Sequence, residues 1–177
     1  LLKNGIKVSG SDMADSGILA GLRKLGADIK IGHKSENLPD TAGGVVVSAA
    51  VKQDNPEYQK AVETGLKIYK YAQMLGKVMN SYEGVAVAGT HGKSTTSGWL
   101  SFLLTKAGLK PNWIVGAEVI QLGDSNGVGN GRFFVAESCE YDRSFLNLSP
   151  KISVILNIEQ DHLDYYKDEA DIIDAFA

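Results

Sequence analysis

The sequence predicts an α/β protein made of two consecutive parallel-sheet domains. The prediction rests on short apolar runs of strand length, amphipathic stretches of helix length between them, and a restart of that alternation near Asn80. Strands that read as continuous apolar runs, rather than alternating ones, belong to sheets covered on both faces.

Taken in order, Ile6-Lys7-Val8-Ser9 reads as a strand ended by Gly10-Ser11-Asp12. Ile18 to Leu25 reads as a helix, with apolar positions at Ile18, Leu19, Leu22 and Leu25 and a stop at Gly26. Ala27 to Gly32 is a second strand, and Gly43-Gly44 leads into the buried run Val45-Val46-Val47. Asn55-Pro56 opens a helix that runs to about Thr64. Lys67-Ile68-Tyr69 is a strand and Tyr71 to Met79 a helix. After Asn80 come a strand at Val85–Ala88, a helix from Lys93 to about Ala107, and strands at Trp113–Val115, Phe133–Ala136 and Ile152–Leu156. Gly123 to Gly131 is rich in Gly and Asn and reads as a loop or hairpin tip. The domains are expected at residues 1–80 and 81–177.

Bulk properties exclude several classes. Of 177 residues, 44% are apolar and 22% charged, the balance of an ordinary globular protein. A net charge of −3 without a basic run argues against a nucleic-acid or anionic-membrane surface. The single cysteine, Cys139, excludes an internal disulfide framework and fits a reducing, cytoplasmic compartment. The chain opens at Leu1 without a Met and stops inside an apparent helix, so it is expected to be a piece of a longer protein. Nothing in it sets an oligomeric state.

The chemistry concentrates at Gly89-Thr90-His91-Gly92-Lys93-Ser94-Thr95-Thr96-Ser97. A strand precedes this turn and a helix follows, the arrangement that wraps backbone N–H groups around nucleotide phosphates. The common phosphate-loop pattern would place a glycine at position 87, where this chain has Val87, so Gly89 supplies the freedom in a tighter loop. Lys93 would set its ammonium between phosphates, and Ser94 would offer a hydroxyl to Mg²⁺. Glu137, at the end of the second strand after the loop strand, would hold Mg²⁺ opposite Ser94, since strand C-termini line the crevice of an open parallel sheet. His162, within Asp161-His162-Leu163-Asp164 after the last strand, reads as a second-metal ligand aimed at the same crevice. No Gly-x-Gly-x-x-Gly turn is present, so a dinucleotide-dependent dehydrogenase has no support.

These clusters resemble the Mur ligase family, ATP-dependent enzymes of peptidoglycan precursor synthesis. Gly89 to Thr96 looks like that family's shortened loop. Glu137 to Asp142 with Ser144-Phe145-Leu146 looks like its acidic segment, and Asn157-Ile158-Glu159-Gln160-Asp161-His162-Leu163-Asp164 like its Asn-Ile-Glu-x-Asp-His-x-Asp element. Val8 to Asp12, Ile31-Gly32-His33, Val47 to Glu57 and His91 are most similar to the branch that adds L-alanine. Cys139 and Tyr141 replace the Asp and Ser often seen in the acidic segment.

The resemblance implies a Rossmann-like UDP-sugar domain lacking its first strand and Gly-rich turn, then a truncated central ATP-binding domain. It implies ATP and Mg²⁺ as cofactors, UDP-N-acetylmuramate and L-alanine as substrates, and an acyl-phosphate intermediate. Gly89, Thr90, His91, Gly92, Lys93, Ser94 and Thr95 would hold the nucleotide, and Ser94, Glu137 and His162 the metal. Lys93, Glu137 and His162 would carry the catalysis. Ser11, Asp12, His33 and Ser48, at or just after strand ends, would face the UDP group, although each also suits a turn or cap. A sister ligase taking a later amino acid or a whole murein peptide, and a non-catalytic nucleotide-binding module, remain as alternatives.

Overall fold

A computed structural model describes all 177 residues. The chain divides into two compact units, Leu1–Tyr71 and Ala72–Ala177. The first contains β1 (Ser9–Asp12), α1 (Gly17–Lys24), β2 (Asp28–Ile31), β3 (Val45–Val47), α2 (Pro56–Glu63) and β4 (Ile68–Lys70). α3 (Tyr71–Met79) leads into the second, which adds β5 (Glu83–Ala88), α4 (Lys93–Lys106), β6 (Asn112–Val119), β7 (Asp124–Gly127), β8 (Phe133–Glu137), β9 (Ile152–Ile155) and α5 (Glu169–Phe176).

The first unit holds two separate two-stranded parallel sheets, β1-β2 and β3-β4, where the apolar runs predict one sheet. Each pair is a single β-α-β unit, so a strand finds only the partner that its own crossover helix delivers. β1 also lies three residues later than expected. Its register pairs Ser9 with Asp28 and Asp12 with Ile31, while the Val8 carbonyl accepts from Asp28 N at 3.0 Å as the lead-in. Backbone pairing with β2, rather than side-chain apolarity, sets this strand, and it carries Ser11 and Asp12 into the sheet. The helices start where capping chemistry dictates. Ser16 Oγ accepts from Leu19 N at 3.3 Å, and Asn55 Oδ1 accepts from Glu57 N at 2.9 Å and Tyr58 N at 3.2 Å ahead of α2.

The second unit is built on a five-stranded sheet of order β7-β6-β8-β5-β9. β5 is an interior strand, between β8 and β9, and the side chains of consecutive residues go to opposite faces. Val85 packs with Trp113, Val115, Val119 and Val135 against Leu100 and Leu104 of α4. Ala86 packs with Phe134, Ala136 and Leu148 against Met79 and Leu75 of α3. The sheet is therefore covered on both faces, as continuous apolar strands require. One edge departs from the parallel expectation: β6 runs on to Val119, turns, and pairs antiparallel with β7, so the Gly/Asn-rich stretch forms half of a hairpin.

α4 turns a face of small residues inward. Ser97, Gly98 and Ser101 are its buried residues, whereas Trp99 and Leu103 are exposed. Small residues let the helix backbone lie close to the sheet. Their hydroxyls are satisfied within the helix: Ser97 donates to the Lys93 carbonyl, Ser101 to that of Ser97 and Thr105 to that of Ser101, each at 2.7 Å.

Candidate functional site

Strand order brings the sequence clusters together. β8 and β9 flank β5, with Val87 opposite Glu137 and Ala88 opposite Ile155. The loop after β5, the acidic segment after β8 and the segment after β9 thus leave one edge of the sheet side by side.

The loop is held by the chain after β9. Thr90 N donates to the Asn157 carbonyl at 3.1 Å, His91 N to Asn157 Oδ1 at 2.8 Å, and Asn157 Nδ2 to the His91 carbonyl at 3.1 Å. Thr90 Oγ1 donates to the Glu159 carbonyl and accepts from Glu159 N, at 3.2 and 2.9 Å. Gly89 has φ 131°, and a Cβ there would meet the Asn157 carbonyl oxygen at 2.9 Å, so both backbone conformation and crowding demand glycine. The fit explains why a tighter loop works with Val87: that residue is a fully buried strand residue, and the turn begins only at Gly89.

Lys93 opens α4 behind Gly92, which has φ 83°. Its ammonium donates to the carbonyls of Gly89 (2.6 Å) and Thr90 (3.2 Å) and to Glu140 Oε1 (3.0 Å). All three of its donors are therefore engaged. Ser94 Oγ donates to Glu137 Oε1 at 3.0 Å, and Glu137 Oε2 accepts from Gly116 N at 2.6 Å. A Cβ at position 116 would sit 2.9 Å from that oxygen, so Gly116 is what lets the carboxylate reach the β6 backbone. Thr95 lies exposed on the first turn of α4, and His91, 68% exposed, has Nε2 3.8 Å from Glu159 Oε2.

His162 does not join Ser94 and Glu137 directly. Its Nε2 lies 3.8 Å from Glu140 Oε1 and 4.0 Å from Asp161 Oδ2. Glu140, Asp161 and His162 each offer a ligand atom, all within 4.8 Å of one another. Glu140 is 2% exposed, and its Oε2 has no hydrogen-bond partner. A buried carboxylate oxygen left unpaired is costly unless a cation meets it, so this donor set fits a divalent ion. Glu140 carries no distinguishing spacing in the sequence. Only its burial beside Lys93 and His162 marks it, as only its contact with Glu137 marks Gly116; Asn157 opens a family-like element in the sequence, but its hold on the loop shows only in the fold. Nearby, Asp164 pushes the Tyr141 phenol above its ordinary range, and burial does the same for Tyr166.

In the first unit, Ser11 Oγ and His33 Nδ1 share a hydrogen bond of 2.8 Å. His33 Nδ1 is also 3.6 Å from Glu57 Oε1, which accepts from Asn37 Nδ2 at 2.9 Å and Lys34 N at 3.3 Å. Glu57 thus places a carboxylate beside His33, a proximity no sequence pattern marks. Asp12 turns its carboxylate to Ala14 N at 3.3 Å, and Ser48 lies exposed just past β3.

Comparison with known proteins follows this division. Residues 1–83 match the Mur ligase family, catalytic domain, and residues 87–177 match the Mur ligase middle domain. The chain belongs to the Mur ligase family. It is 48% identical to the UDP-N-acetylmuramate–L-alanine ligase of Alkaliphilus metalliredigens, over 99% of this chain and 38% of that protein. The corresponding ligase of Acetivibrio thermocellus is 46% identical over the same shares. Among solved structures, the UDP-N-acetylmuramate–alanine ligase of Thermotoga maritima superposes with a TM-score of 0.88 at 30% identity, covering 98% of this chain and 41% of that one. A UDP-N-acetylmuramate:L-alanyl-γ-D-glutamyl-meso-diaminopimelate ligase from Neisseria meningitides reaches 0.86 at 27% identity, covering 99% and 60%. The chain therefore spans about two fifths of the length of the curated relatives it matches. No helix is long and apolar enough to cross a membrane.

Proposed function

We propose that this Mur ligase chain belongs to an ATP-dependent ligase that joins L-alanine to the lactyl carboxylate of UDP-N-acetylmuramate, a step of peptidoglycan precursor synthesis in the bacterial cytoplasm. The observation that carries the nucleotide part is the Gly89–Ser94 loop, locked by Asn157, with Lys93 and the Ser94–Glu137 pair at one edge of the sheet. The acceptor and the amino acid rest on the similarity to the alanine-adding relatives. Residues 1–80 would hold the UDP-sugar through Ser11, Asp12, His33 and Ser48, and residues 81–177 would hold ATP.

In this reading the loop amides and the N-terminus of α4 bind the phosphates. Lys93 leaves its three protein acceptors for the γ-phosphoryl group and neutralises its charge. A lactyl carboxylate oxygen attacks the γ-phosphorus, the bond to ADP breaks, and an acyl phosphate forms. The L-alanine amine then adds to the acyl carbon, and phosphate departs with the C–O bonding pair. Ser94 and Glu137 would hold one Mg²⁺ and Glu140, Asp161 and His162 a second. When bound, these ions supply positive charge to the phosphate and acyl-phosphate oxygens. None of these steps needs a protein nucleophile, and exposed Cys139 takes no part.

The test is phosphate release by the complete protein carrying this chain, given ATP and UDP-N-acetylmuramate with L-alanine, glycine or L-alanyl-γ-D-glutamyl-diaminopimelate. L-Alanine should stimulate most. Stronger stimulation by the tripeptide would move the protein to the murein-peptide branch, and no stimulation by any amine would leave a binding module.

A further inference from the structure

Two parts of the candidate cation site reach it from different segments. Glu140 follows β8, and His162 follows β9. Nothing in the sheet fixes their separation, because both lie past the last paired residues. One side chain connects them. Tyr166 Oη donates to the Glu140 carbonyl at 2.6 Å, while its own backbone N–H donates to the His162 carbonyl at 2.9 Å.

The local backbone shows why such a link is needed. Asp142 and Arg143, directly after Glu140 and Tyr141, both adopt left-handed conformations, at φ 53° and 49°. His162 does so as well, at φ 51°. Non-glycine residues hold such conformations only where surrounding contacts impose them. Those contacts come from the C-terminal segment. Tyr166 is 2% exposed and packs with Ile172 and Ala175 of α5 against Phe145, Ile158 and Phe176. Arg143 lies over the Tyr166 ring at 5.8 Å and pairs with Asp171 of α5 at 2.7 Å. The Glu140 carbonyl accepts from Arg143 N at 3.0 Å as well, so the phenol and the strained turn converge on one backbone oxygen.

We infer that Tyr166 is a positioning residue that sets the distance between Glu140 and His162 and thereby tunes cation binding. It touches neither substrate nor ion and acts through two carbonyls. The buried hydroxyl lies on the backbone of the residue whose Oε2 stands unpartnered, so losing it frees Glu140 to drift from His162 while leaving the aromatic packing in place. The inference rests on the reading of this site as one for a nucleotide and divalent cations.

The experiment is Mn²⁺ titration by electron paramagnetic resonance of the complete protein with a non-hydrolysable ATP analogue. It compares wild type, Tyr166→Phe and Ile172→Val. Tyr166→Phe should weaken Mn²⁺ binding about fivefold, the size of one lost net hydrogen bond. It should raise the Mg²⁺ concentration for half-maximal phosphate release by a similar factor, with the KM for UDP-sugar unchanged. Ile172→Val, which loosens the same cluster without touching Glu140, should lower the melting temperature comparably and leave Mn²⁺ binding alone. Wild-type Mn²⁺ affinity in Tyr166→Phe, or equal weakening in Ile172→Val, overturns the positioning role. If wild-type protein binds no Mn²⁺ with the analogue, the cation reading itself fails and the inference falls with it.

Discussion

The two units set their candidate sites in opposite physical surroundings. In Ala72–Ala177 the charged pair at the centre, Lys93 and Glu140, has side chains only 15% and 3% exposed, at the edge of a sheet covered on both faces. In Leu1–Tyr71 the pair His33 and Glu57 is 24% and 18% exposed, with His33 just past β2 and Glu57 in the first turn of α2, in a unit whose strands have only one partner each. A buried pair fixes geometry at the cost of desolvation, so losing either member is expensive. A partly exposed pair is more screened and more readily replaced by water, so it should tune binding without deciding the chemistry.

The sharpest way to break that contrast is Lys93→Ala. Phosphate release should fall about a thousandfold or more, as for loss of a group that stabilises a transferring phosphoryl, while UDP-sugar binding persists. The same change leaves Glu140 buried without its counter-charge, which should cost roughly 3–5 kcal/mol of stability. Combining it with Glu140→Gln should recover most of the melting temperature and none of the activity. Normal turnover by Lys93→Ala would remove the assignment, and a double variant no more stable than the single one would show that the pair is not what burial makes it.

Asn157→Ala comes next. It deletes both side-chain hydrogen bonds to His91, and the KM for ATP should rise about tenfold at little cost to kcat. An unchanged KM would mean that the backbone bond from Thr90 to Asn157 and the Thr90–Glu159 contacts suffice to hold the loop. In the other unit, His33→Ala should raise the KM for UDP-sugar about fivefold and leave kcat within about twofold, and Glu57→Gln should do the same more weakly. A loss confined to kcat would place His33 near the chemistry and erase the distinction between the units.

The smallest effect concerns Asp15, whose carboxyl the Arg23 guanidinium holds below the ordinary value of 3.8. A depressed carboxyl stabilises the folded protein above that ordinary value, and the contribution is lost as pH falls through the lowered one. Asp15 should therefore titrate at higher pH in Arg23→Ala when its carboxyl resonance is followed by NMR. An unchanged midpoint would assign the depression to the Ser16 backbone N–H, which also donates to it.

Elements were legible where one residue class decided them. Asn55-Pro56 caps α2 through its own side chain, and Val85 to Ala88 could only be a covered strand. β1 was legible as a strand but not in register, since Ser9–Asp12 has no apolar signature and its pairing with β2 places it. The face of α4 was not legible either. The apolar Trp99 and Leu103 are exposed, while close approach to the sheet selected Ser97, Gly98 and Ser101.

By itself the sequence determined the α/β class, the family and the loop chemistry, because Gly89, Gly92, Lys93 and Ser94 must be neighbours along the chain to act on one phosphate group. Only the tertiary structure decided that Asn157 locks the loop, that Gly116 admits Glu137, and that His162 meets Glu140 rather than Ser94. Those contacts join residues from about twenty to more than sixty positions apart. The order of β8, β5 and β9 creates them, and strand order is a property of packing that no local pattern encodes.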